Sequence, residues 1–127
     1  MSTSGSFRDL RVWQAGMKLA REVCSATATF PRPELYGLTQ QIRRAAVSVP
    51  SNVAEVKGRH SDKEFAHFLC NARGSLLELE TQLILAEELE YLSAAEGKCL
   101  LALAECVGRA LSGLINSLRG VPREHAA

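Results

Sequence analysis

The residues with the greatest chemical potential are gathered between Leu38 and Ser75. Six cations, Arg43, Arg44, Lys57, Arg59, Lys63 and Arg73, fall there against three acids, Glu55, Asp62 and Glu64, a local charge of +3 in a chain whose formal net charge is +1. The remainder holds nine basic and eleven acidic residues, and five of those acids, Glu78, Glu80, Glu87, Glu88 and Glu90, crowd one later segment. Clustered guanidinium and ammonium groups suit phosphate, because affinity for nucleic acid comes mainly from counterions released when cations converge on the backbone. Two features weaken that reading. Acids are interspersed, and the run has no aromatic platform on which a base could stack. An ordinary solvated charged face is therefore the competing interpretation.

A second constellation overlaps the first. In "RRAAVSVPSNVAE", Arg44, Ser48, Ser51, Asn52, Glu55 and then Arg59 recur three or four apart, which places them on one side of a helix. They could contact a ligand. They could equally form a polar network around Pro50, which lacks an N–H and strains the carbonyl four residues back, that of Ala46. Ser51 and Asn52 can bond nearby backbone groups, and Glu55 can pair with Arg44 or Arg59. The structural role is the one these residue types favour.

Other chemistry is poorly served. His60, Glu64 and His67 are too widely spaced for a helical metal site, which usually takes ligands at i and i+4. Glu78 and Glu80, two apart, point to different sides of a helix and make no acid–base pair. No nucleophile elbow, phosphate loop or dinucleotide fingerprint is present. The chain is thus expected to be no enzyme and to use no metal or cofactor. Cys24, Cys70, Cys99 and Cys106 form no CxxC pair and sit among apolar neighbours, so buried free thiols of a cytoplasmic protein are expected. The N-terminal "MSTSGSFRDL" is no secretory signal, and no unbroken apolar run nears the roughly 18 residues of a membrane span, so no membrane association is expected.

The elements that must position these residues are helical. The 127 residues make one domain, with only 6% aromatics, so Leu, Val, Ile and Ala must build the core. Residues 1–6 form a disordered N-terminus, 7–120 the helical domain, and 121–127 a tail. Leu10, Trp13, Met17, Leu19, Ala20 and Cys24 define helix 1 from Arg8 to Thr27, stopped by "FPRPE". Helix 2 starts near Leu38, with Thr39 as a plausible cap, and carries Ile42, Ala45, Ala46, Val49, Val53 and Val56 in phase through Pro50 to Gly58. Ser61 with Glu64, and Ser93 with Glu96, are capping boxes. They open helix 3, from Asp62 to about Leu89, and helix 4, which ends near Gly120. Four amphipathic helices with short connections predict an all-α, antiparallel up-and-down four-helix bundle, its second helix kinked at Pro50. Helix 3 adds Leu77, Ile84 and Leu85 to its main stripe, and helix 4 adds Leu101 and Ile115. This surplus predicts a homo-oligomer, since large apolar patches mark interfaces.

Four strings carry a family likeness: "FRDLRVWQAGMKLA", "FPRPELYGLTQQIRRAAVSVPSNVAE", "GRHSDKEFAHFLCNARGSLLELETQLILAEEL" and "LSGLINSLR". Together they resemble the bacterial four-helix bundle proteins related to open reading frames in intervening sequences of 23S ribosomal RNA genes. Its most specific parts are Gln41, Arg43, Arg44 and Ala45, then Pro50, Ser51, Asn52, Ala54 and Glu55. The resemblance implies a ring-like homopentamer. Its distant relatives, accessory proteins of diversity-generating retroelements, imply RNA or single-stranded DNA and a reverse transcriptase as partners. One position departs from the family pattern: Val56 stands where a glycine is usual, which bears on the turn between helices 2 and 3. The function expected is a nucleic-acid-associated module whose basic patch repeats around a ring. The alternative is a protein-interaction or scaffold subunit without nucleic-acid contact.

Overall fold

The computed structural model describes residues 6–55 and 61–119. Four helices, α1 (Arg11–Ala26), α2 (Leu38–Glu55), α3 (Asp62–Glu88) and α4 (Ala94–Arg119), carry the fold, with no strand among the described residues. Each helix packs on the next, and α1 also packs on α4, which closes the bundle. The core is aliphatic, with Leu19, Ile42, Val49, Leu69, Leu79, Leu83 and Leu111 all fully buried.

Local chemistry sets the helix ends. Ser61 Oγ accepts the Glu64 amide and Glu64 Oε1 accepts the Ser61 amide, so the first capping box is complete at the start of α3. Ser93 and Glu96 do the same for α4, at 3.0 and 2.9 Å. α3 stops in a Schellman arrangement: the Tyr91 amide bonds the Ala86 carbonyl and the Glu90 amide bonds the Glu87 carbonyl, both at 2.9 Å. That turn needs a left-handed residue, and Glu90 supplies it at φ 64. A side chain there costs about 1 kcal/mol or more. Glu90→Gly should therefore raise stability by about 1 kcal/mol in thermal melts. Glu90→Gln, which keeps the strain, should leave the melt where it was.

Several expectations are corrected. Residues 8–10 are not part of α1: Phe7–Asp9 is a 3-10 turn capped by Ser6, and Leu10 is extended. The buried stripe of α1 is Val12, Gly16, Leu19, Ala20 and Val23, about one residue out of register with the expected one. Gly16 explains the offset. A Cβ there would lie 3.5 Å from Pro50 Cβ, so the bare backbone of α1 lies against the proline of α2. Trp13 and Met17 are consequently left half-buried, and Cys24 is exposed. Cys99 and Cys106 are exposed too, and Cys70 is half-buried, so the cysteines are not core residues. On α4 the buried residues are Leu100, Ala104, Val107, Leu111 and Ile115. Ile115 thus belongs to the core and not to the outer surplus. By length and composition Ala94–Leu118, with mean hydropathy 1.4, could cross a membrane; 28% of its apolar window is buried in the bundle.

Candidate nucleic-acid interface

α2 runs unbroken from Leu38 to Glu55 with Pro50 inside it. The polar residues around Pro50 turn to the protein's own backbone. Ser51 Oγ donates to the Val47 carbonyl at 2.8 Å, and Asn52 Nδ2 donates to the Ser48 carbonyl at 2.9 Å. Asn52 Nδ2 also reaches Ser48 Oγ, which shares a 2.8 Å hydrogen bond with Ser75 Oγ on α3. Ser48 and Asn52 therefore stitch α2 to α3, while Ser51 lies on the opposite, α1-facing groove. The carbonyls they engage belong to Val47 and Ser48, beside that of Ala46. Glu55 is exposed at the end of α2.

The basic residues divide among three places. Arg43 and Arg44 share a depression of about 470 Å³ with Leu35, Tyr36, Gln40 and Val47. Arg73 lines a separate groove between α3 and α4, among Glu80, Glu105 and Arg109. Lys63 is exposed at the start of α3, in a third depression with Asp62 and His67. Lys57, Arg59, His60, Val56 and Gly58 lie outside the described residues, as do residues 1–5 and 120–127. Only Arg43 and Arg44 are brought together by the described fold.

The connection ahead of α2 is held firmly. Glu34 Oε1 accepts the Leu38 amide at 3.2 Å, so Glu34, and not Thr39, caps the helix. Thr39 is buried and its Oγ1 has no hydrogen-bond partner. Glu34 Oε2 accepts the Tyr91 hydroxyl at 2.9 Å, and Tyr91 also packs its ring on Phe30 with centroids 5.4 Å apart. The hydrogen bond to Glu34, assisted by burial and by the Glu34 charge, raises the Tyr91 pKa above 10.0. Arg43 Nε donates to Thr27 Oγ1 at 2.8 Å, and that hydroxyl in turn bonds the Val23 carbonyl at 2.9 Å. Arg43 thus serves both as a link to the end of α1 and as one wall of the depression.

Two features were missed in sequence. Tyr36 is 85% exposed in the depression with Arg43 and Arg44, so an aromatic does accompany the cations. It follows a proline-rich stop, where no periodicity assigns it a side. Glu80 on α3 and Glu105 on α4 line one groove, a carboxylate pair drawn from two helices. Burial, helped by the Glu105 charge, raises the Glu80 pKa above 4.5. A carboxyl raised on folding loses stability as pH climbs from its unfolded value through its folded one. Glu80→Gln should therefore raise the melting temperature near neutral pH, and that advantage should vanish below pH 4.5.

Among known protein families, the model of the 23S rRNA-intervening sequence protein matches residues 8–113. The chain belongs to this family. The match covers α1, α2 and α3 and most of α4, so it includes both the Arg43–Arg44 depression and the Pro50 network. No curated protein matches the chain. Within this 23S rRNA-intervening sequence protein, the α1–α2 side carries a second, apolar groove of about 480 Å³, lined by Trp13, Met17, Val47, Pro50 and Ala54. Val47 is common to both depressions and is 49% exposed.

Proposed function

We propose that the protein is a non-enzymatic, homo-oligomeric module that associates with RNA or an RNA–protein complex through Arg43 and Arg44. The observation that carries this reading is the pairing of two guanidinium groups in one depression whose lining contains no acid. Such a site attracts phosphate without the repulsion that Glu80 and Glu105 would exert beside Arg73. The family's name, which refers to an intervening sequence of 23S rRNA, favours RNA as the polyanion.

Assembly is supported by α3. Leu77, Ile84, Leu85 and Leu89 are exposed, and Leu77, Ile84 and Leu85 lie on the far side of the helix from Leu76, Leu79 and Leu83. A helix apolar on opposite sides needs two burial partners, and the bundle provides one. The α1–α2 groove suits the other, since Glu78 and Glu88 flank the ridge and Arg21 lines the groove. Two different faces that meet head to tail form a ring when the rotation between copies closes, and the family likeness points to five subunits. A ring repeats Arg43 and Arg44 around its axis, which strengthens binding by multivalency.

Fluorescence polarisation of labelled RNA at low salt tests the reading. Arg44→Glu should weaken binding and reduce the salt slope by about 1, and adding Arg43→Glu should remove most of the remainder. Circular dichroism must show both variants folded, because Arg43 also holds Thr27. Wild-type protein that binds no RNA at low salt overturns the reading in favour of a scaffold subunit without nucleic-acid contact.

A further inference from the structure

We propose that the depression beside Arg44 is a site for unpaired RNA, where a base stacks on the Tyr36 ring and the flanking phosphates meet Arg43 and Arg44. The proposal rests on the RNA reading above and narrows it from RNA in general to single strands.

Tyr36 is the first ground. At 85% exposed, it is the most solvent-exposed large hydrophobic residue of the described chain. An aromatic ring left in water offers a π-face, and every nucleobase has a face to match it. The second ground is that the ring stands on a fixed turn. Glu34 Oε1 takes the Leu38 amide, its Oε2 takes the Tyr91 hydroxyl, and the Glu34 carbonyl takes the Gly37 amide at 2.9 Å. Leu35–Gly37 are thus bracketed by bonds to one residue. The backbone beneath the ring therefore loses little freedom on binding.

The third ground is charge. Arg43 is aimed by its 2.8 Å bond to Thr27, and Arg44 is exposed one residue on. Gln40, on the same side of α2 one turn earlier, adds an amide able both to donate to and accept from a base edge. Leu35 and Val47 supply an apolar floor, and no carboxylate is among the lining residues. Aromatic face, two guanidinium groups and one amide are the ingredients of single-strand recognition. A duplex keeps its bases stacked on each other, so it could use the arginines but not the tyrosine.

The test compares fluorescein-labelled oligouridylate with an RNA duplex of the same length, using the full chain and following its mass by light scattering. Tyr36→Ala should weaken oligouridylate binding about 5- to 100-fold and leave duplex binding unchanged, while Tyr36→Phe retains both. Arg44→Glu should weaken both probes. If Tyr36→Ala leaves oligouridylate binding intact while Arg44→Glu reduces it, the stacking site is overturned and the RNA reading survives. Equal loss on both probes overturns it as well, as does a change in oligomer mass, which would make Tyr36 a contact between copies. No binding of either probe by wild-type protein overturns both readings.

Discussion

Replacing Leu77 and Leu85 together by aspartate should dissociate the proposed oligomer into monomers that remain folded. Leu77 is 59% exposed and Leu85 43% exposed on the subunit, so neither side chain is needed by the bundle core. Burying a leucine fully is worth about 1.5–3 kcal/mol, and Leu77 at 59% and Leu85 at 43% exposed have together about one leucine's surface left to bury, so the pair contributes about 1.5–3 kcal/mol per interface if the ridge is covered. Every 1.4 kcal/mol is tenfold in affinity, so losing the two leucines weakens each contact by about one to two orders of magnitude. Aspartate adds the penalty of a charge driven into an apolar groove. It also places new acids beside Glu78 and Glu88. The cost to the isolated helix is only about 0.5 kcal/mol per site, the difference in helix propensity. Light scattering should show the subunit mass, and circular dichroism an unchanged helical signal. An unaltered assembly would remove α3 from the interface, and a monomeric wild-type protein would remove the oligomer itself.

Leu79→Ala should do the opposite, damaging the fold from within. Leu79 is two residues beyond Leu77 on the same helix, yet it is fully buried. It lies on α3, which packs against both α2 and α4. Truncating a buried leucine costs about 2–5 kcal/mol, from lost transfer energy and the cavity left behind. Domains of this size are stable by only about 5–15 kcal/mol, so this single change removes a large share. Urea titration of the Leu77→Asp, Leu85→Asp background reads the loss without the contribution of assembly. A cost below about 1 kcal/mol would mean that the core around Leu79 closes over the gap. The two experiments separate neighbouring leucines whose residue type is identical and whose surroundings are not.

That contrast shows what sequence alone could carry. Ser61–Glu64 and Ser93–Glu96 were legible because a capping box is local: donor, acceptor and spacing all lie within four residues. The surplus on α3 was legible because helical period places Leu77, Ile84 and Leu85 on one side whatever the helix meets. The passage of α2 through Pro50 was legible for the same reason, since Val49 and Val53 stay in phase across it. Register was harder. Two adjacent apolar residues, Leu114 and Ile115, fit the same stripe, and only the contact with neighbouring helices chooses Ile115. On α1 the choice was made by Gly16 against Pro50, a meeting of two helices that no local pattern records. The basic set illustrates a further limit. Arg43, Arg44, Lys63 and Arg73 are near in sequence, but three separate depressions hold them. Tyr36, which shares a depression with Arg44, precedes the start of α2, where no helical period assigns it a side. Glu80 and Glu105 were invisible for a similar reason, since the approach of α4 to α3 creates their proximity.

The Glu34–Tyr91 hydrogen bond has a consequence for how the molecule opens. It ties the segment before α2 to the turn after α3, so these connections form one edge of the bundle. Local unfolding of the Leu35–Gly37 turn must break that link or take the α3–α4 turn with it. The Tyr36 surface therefore does not fray as an independent loop. It belongs to an opening unit that spans two connections, while the Tyr36 ring itself is already exposed in the closed state. Above pH 10.0 the Tyr91 proton is lost once its raised pKa is passed, and the unit then loosens at both ends together.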